Sequence, residues 1–119
     1  MKKYSIGDIV HVLHYNYKSG LKGDRHNFII VDDGQAIDID YYAFLMSSHL
    51  EKASYPYNER INRDDTNNLR QDSIVKCDDL ISISENDIVF KIGEVPEEDL
   101  DRFINTYSQY LEETMGASV

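Results

Sequence analysis

Leu100, Phe103, Ile104, Tyr107, Tyr110 and Leu111 recur at helical spacing and form one apolar stripe, while the runs ahead of them read as short strands. Pro96 opens this helix, and Glu97-Glu98-Asp99 in its first turn complement the helix dipole. The stripe reads as core rather than as a ligand box. Ile6 to Tyr17 is a β-branched and aromatic strand, Asn27 to Asp32 a second, and Asp32-Asp33-Gly34-Gln35 a hairpin turn. Ala36 to Asp40 reads as a short edge strand and Tyr41 to Met46 as a central one. Leu50 to Gln71 is the least regular part, with a turn at Tyr55-Pro56-Tyr57-Asn58 and a polar loop at Asn62 to Asn68. Asp72 to Cys77 and Asp79 to Ile83 continue one strand through a bulge, and Ile88 to Val95 is the last. Many short strands and one helix predict a mainly β fold with α content, a small curled barrel closed by the C-terminal amphipathic helix.

A chain of 119 residues builds a single core. We expect one domain over residues 1–113 and a flexible tail at 114–119. No run approaches the roughly 18 apolar residues that span a bilayer, and Met1-Lys2-Lys3-Tyr4-Ser5 has no signal-peptide character, so a cytoplasmic protein without membrane contact is expected. Cys77 stands alone, which excludes an internal disulfide and a multi-cysteine zinc site; it reads as a small buried hydrophobe.

The net charge of −10 argues against a nucleic-acid partner until its distribution is considered. Residues 1–31 carry 5 basic against 2 acidic side chains, a surplus of +3, whereas residues 32–119 carry 7 against 20, or −13. Salt screens charges beyond about 8–10 Å, so a local basic arm can still hold a phosphate. That arm is Lys18-Ser19-Gly20-Leu21-Lys22-Gly23-Asp24-Arg25-His26, whose glycines predict a mobile bend running into Phe28-Ile29-Ile30-Val31.

Arg25 at the start of one strand and Ser47 at the end of another meet at one rim if those strands are antiparallel neighbours. A guanidinium presents fixed donors to phosphate oxygens, a hydroxyl orients the same group, and His26 or His49 moves protons near neutral pH. Arg25 is equally suited to a surface ion pair with Asp24 or Asp8. His11 and His14 point to opposite strand faces and do not share an ion; Asp38 and Asp40 read as solvated carboxylates, so no metal is expected. No phosphate-binding glycine loop or nucleophile elbow is present.

The order of several segments resembles the PemK/MazF family of toxin endoribonucleases. Gly7-Asp8-Ile9-Val10 is similar to that family's first strand, and Gly23-Asp24-Arg25-His26 before Phe28-Ile29-Ile30-Val31 to its Gly-x-Arg-Pro lead into the second. Ala43-Phe44-Leu45-Met46-Ser47-Ser48 falls where the family has an apolar strand ending in a hydroxyl residue. Asp72-Ser73-Ile74-Val75, Asp79-Leu80-Ile81-Ser82-Ile83 and Lys91-Ile92-Gly93-Glu94-Val95 complete the match over about residues 6 to 111. The resemblance implies an SH3-like barrel, usually a homodimer, that cuts single-stranded RNA selectively, without a metal or other cofactor, by attack of the ribose 2′-hydroxyl, and is blocked by an antitoxin. Arg25 then matches the catalytic arginine and Ser47 the hydroxyl residue. His26 and His49 are candidates for proton transfer, Lys18, Lys22 and Ser48 for RNA contacts, and Tyr15 to Lys22 for the loop that closes over RNA. His26 stands where the family has proline. Two other readings remain: a non-catalytic barrel engaging a protein such as a topoisomerase, favoured by net acidity, and a homologue that binds RNA without cutting.

Overall fold

The computed structural model describes residues 2–34 and 39–115. β1 (Asp8–Asn16), β2 (Lys22–Asp32), β3 (Tyr41–Ser47), β4 (Asn58–Ile61), β5 (Ser73–Ile83) and β6 (Ile88–Glu94) form one antiparallel sheet, followed by α1 (Glu97–Thr114). The strand order is β4-β5-β3-β2-β1-β6. The barrel-like, mainly β class with a C-terminal helix is therefore the one observed, but its ladder is open: among the described residues β4 and β6 do not pair. The β4–β5 loop bridges this seam instead. Glu94 N–H donates to the Thr66 carbonyl at 3.1 Å, and Asn68 Nδ2 donates to the Ile92 carbonyl at 3.1 Å.

Both faces of the sheet are buried. Val10, Val12, Phe28, Ile30, Ala43 and Leu45 pack on one side with Tyr41, Ile81 and Ile83. Their neighbours Ile9, Ile29, Phe44 and Met46 face the other, which α1 covers with Leu100, Phe103 and Tyr107. This is why Phe28-Ile29-Ile30-Val31 and Tyr41 to Met46 are continuous apolar runs instead of alternating ones. Phe103 is fully buried, and such a side chain contributes about 1.5–3 kcal/mol relative to exposure. The Tyr107 ring centre lies 5.6 Å from that of Phe44 and the Tyr110 ring centre 5.2 Å from that of Tyr57, so the helical stripe packs on the sheet, with Phe103 buried and the other five residues half-buried.

Two expectations are corrected. The mobile arm is a paired hairpin: β1 and β2 stay in register through Tyr15–Gly23 and Asn16–Lys22, and Tyr17 N–H donates to the Leu21 carbonyl at 2.8 Å. Gly23 is there for close approach, not flexibility, because a Cβ on it would sit 2.4 Å from the Tyr15 ring. The stretch Leu50 to Gln71 is also more regular than its composition suggests; it holds a 3-10 turn (Leu50–Ser54), β4 and a loop built on its own side-chain hydrogen bonds. The helix includes Thr114, and most of the expected tail, residues 116–119, lies outside the described residues. Most of the expected edge strand at 36–40, Asp38 included, also lies outside them.

The expected bulge is present in β5, where the register with β3 shifts between Phe44 and Met46, and Asp78 and Asp79 fall within it. Burial, and then the neighbouring Asp78, hold the Asp79 carboxyl above its ordinary range. A carboxyl raised on folding favours the protonated form, so it destabilises the fold at neutral pH and ceases to do so below the unfolded carboxylate range. Asp79→Asn is expected to raise the melting temperature at neutral pH, with the gain shrinking to nothing in acid. Melting curves across that range check it; a gain independent of pH would rule out this cause.

Candidate functional site

Following the α1-covered face along the strands, Ile9 leads by two residues to His11, Ile29 to Asn27, and Phe44 to Met46. Beyond the helix that face is open, and the second set lines a groove of about 760 Å³. Its walls are Arg25 and His26 from β2, Ser47, Ser48 and His49 from the end of β3, Phe90, Lys91 and Ile92 from β6, and Asn68 to Gln71 from the β4–β5 loop. Among the described residues no Asp or Glu lines it, although the chain has 22 of them.

Of the cations in the groove, Lys91 is held by Asp8 at 3.1 Å and Glu94 at 3.2 Å. Arg60 is held by Asp72 and Arg102 by Glu59, both at 2.7 Å. Among the described residues the guanidiniums of Arg25 and Arg70 have no hydrogen-bond or ion-pair partner. Arg25 also has a left-handed backbone, φ 55°, inside a strand, and the ladder accordingly skips its pairing with Leu13. A non-glycine residue pays about 1–2 kcal/mol for that conformation, and such strain collects at functional sites.

His26 is positioned by two polar contacts. Its Nδ1 lies 2.6 Å from the Tyr15 hydroxyl and 3.2 Å from the Asp24 carbonyl. With the proton on Nδ1, the tautomer that the Asp24 carbonyl favours, the Tyr15 hydroxyl accepts there while donating to Tyr17 Oη at 3.1 Å. Nε2 is left as the basic nitrogen. Tyr15 is 6% exposed, and burial pushes its hydroxyl pKa well above the ordinary tyrosine value, so it stays protonated. On the end of the neighbouring strand β3, Ser47 Oγ accepts the His49 amide N–H at 3.1 Å, which frees its own proton for a ligand. The exposed His49 ring turns Nδ1 toward Glu51, 3.3 Å away.

Arg25, His26, Ser47, Ser48 and His49 are thus brought together, and the two lysines are not. Lys18 Nζ donates to the Asp78 carbonyl and sits 4.8 Å from the Tyr110 ring centre, and neither it nor Lys22 lines the groove. Arg70 was missed, along with Asn68, Gln71, Phe90 and Lys91. The available signal was that Asn67 to Gln71 is acid-free between Asp64-Asp65 and Asp72.

A family model for the PemK-like, MazF-like toxin of type II toxin-antitoxin systems matches residues 6–108. The chain belongs to this family. A comparison with curated proteins returns no match. In this PemK/MazF-family toxin the matched region contains all six strands and the whole groove, and membership implies an antitoxin partner. Among the described residues no helix is long and apolar enough to cross a membrane.

The wall that carries Arg70 depends on Asn67, which is 2% exposed. Its Oδ1 accepts from the Asp64 and Leu69 amides at 3.0 and 3.1 Å, and its Nδ2 donates to the Asn62 carbonyl at 2.8 Å. Gly93 packs against it so closely that a Cβ there would lie 2.3 Å from the Asn67 carbonyl oxygen. Asn67→Ala strands these buried groups and is expected to cost on the order of 2 kcal/mol. Urea unfolding measures this; a midpoint like that of the wild type would show that the loop holds without the side chain.

Proposed function

We propose that this toxin is a sequence-selective endoribonuclease that cleaves single-stranded RNA without a metal, acting as a cytoplasmic homodimer restrained by its antitoxin. The observation that carries the reading is an acid-free groove in a −10 chain, with two unpartnered guanidiniums, a free hydroxyl proton and an oriented imidazole. Among the described residues no carboxylate lines it to hold a divalent ion. The acidity that favoured a protein-binding module lies outside this groove.

In the proposed reaction His26 Nε2 takes the proton of a ribose 2′-hydroxyl, whose oxygen attacks the adjacent phosphorus. The Arg25 fork and the Ser47 hydroxyl donate to the non-bridging oxygens as charge builds on them. The bond to the 5′-oxygen breaks, that oxygen takes a proton from His49 just past the end of β3, and a 2′,3′-cyclic phosphate and a 5′-hydroxyl remain. Ser48 and Arg70 contact the flanking backbone. Incubating long single-stranded RNA with the protein and a chelator, then mapping the ends, tests this. Discrete fragments with cyclic phosphate ends support it; intact RNA beside folded protein, or cutting only after metal is added, overturns it.

A further inference from the structure

Phosphate chemistry leaves one feature of the groove unused. Phe90 is 51% exposed on β6, and its ring is stacked on His11 with centroids 5.3 Å apart and planes 19° from parallel. His11 is itself fixed, its Nδ1 lying 2.8 Å from Asn27 Oδ1. The register places the three directly across from one another on β6, β1 and β2, and all three line the groove. Phe90 therefore sits about two strand spacings, roughly 10 Å, from the strand that carries Arg25.

An aromatic ring supported on one face and wet on the other suits a second flat ring. Single-stranded nucleic acid supplies such rings, and aromatic platforms beside cationic grooves bind them. Gln71, whose side-chain amide has no partner among the described residues, lines the same groove with both a donor and an acceptor.

We propose that Phe90, backed by His11, is a stacking floor for an unpaired nucleobase flanking the phosphate held by Arg25, with Gln71 hydrogen-bonding to the edge of that base. The subsite rests on the ribonuclease reading and adds to it a source of sequence preference.

The test uses a short RNA carrying a mapped cleavage site, blocked by a single 2′-deoxy substitution, and measures its dissociation constant at fixed salt. Phe90→Leu is expected to weaken binding about 5- to 150-fold, the range for one base–aromatic stack, and Phe90→Trp to preserve it. The slope of affinity against salt stays unchanged, since no phosphate contact is lost. Removing the base at one position should weaken the wild type but not Phe90→Leu. Equal binding by Phe90→Leu, or equal base-removal penalties in both proteins, overturns the subsite while leaving cleavage standing. A shift from dimer to monomer in sedimentation of Phe90→Leu also overturns it, assigning the ring to a second copy. If the wild type neither cuts nor binds RNA, the ribonuclease reading fails and the subsite fails with it.

Discussion

Arg25→Ala is expected to slow RNA cleavage by about 100- to 1,000-fold, the loss found when one donor to a developing oxyanion is removed. The fold should survive it, because Arg25 is exposed and its guanidinium has no partner among the described residues to abandon. Stability distinguishes this from collateral damage. The residue holds φ 55°, a conformation glycine adopts without penalty, so Arg25→Gly should match Arg25→Ala in lost cleavage while regaining up to about 1 kcal/mol. Arg25→Lys should stay close to the alanine variant, since a point charge lacks the planar fork. Initial cleavage rates beside thermal melts decide the matter. An alanine variant that still cuts within a few-fold of wild type would remove Arg25 from the mechanism.

His26→Ala is the second large effect, expected at about 100- to 10,000-fold for loss of a general base. The prediction depends on the proton being on Nδ1, the tautomer in which the Asp24 carbonyl accepts from it. His26→Asn keeps a side-chain donor but has no basic nitrogen, so it should be as slow as alanine if His26 is the base and substantially faster if it only positions its neighbours. Added imidazole should restore part of the rate in His26→Ala alone. Tyr15→Phe removes one acceptor and leaves the Asp24 carbonyl, so its loss should be smaller than either. A Tyr15→Phe variant slower than His26→Ala would contradict this order.

The strands announced themselves because both sides of the sheet are buried: Phe28 to Val31 and Tyr41 to Met46 have no polar alternation to confuse them with loops. The convergence of Arg25 with Ser47 followed from antiparallel neighbours, and β2 and β3 are such a pair. What could not be read depended on partners distant in the chain. Gly23 looks like a hinge until the Tyr15 ring is found across the ladder from it. Lys18 looks available for phosphate until the Asp78 carbonyl is found holding it, 60 residues away. β4 has only four residues and no apolar run, and its pairing with β5 is invisible to local pattern. Arg70 is one step further removed, since its placement rests on Asn67 and on a glycine in another strand.

The contact at Gly93 has a consequence for motion. The loop bearing Arg70 is attached to β6 by the Glu94 amide and the Asn68 side chain, so the two banks of the groove do not drift independently. Widening the groove for a bulky guest then means releasing that clasp as one cooperative opening, not a gradual sway of a surface loop. The exchange of a single amide hydrogen, that of Glu94, becomes a clock for how often the groove opens.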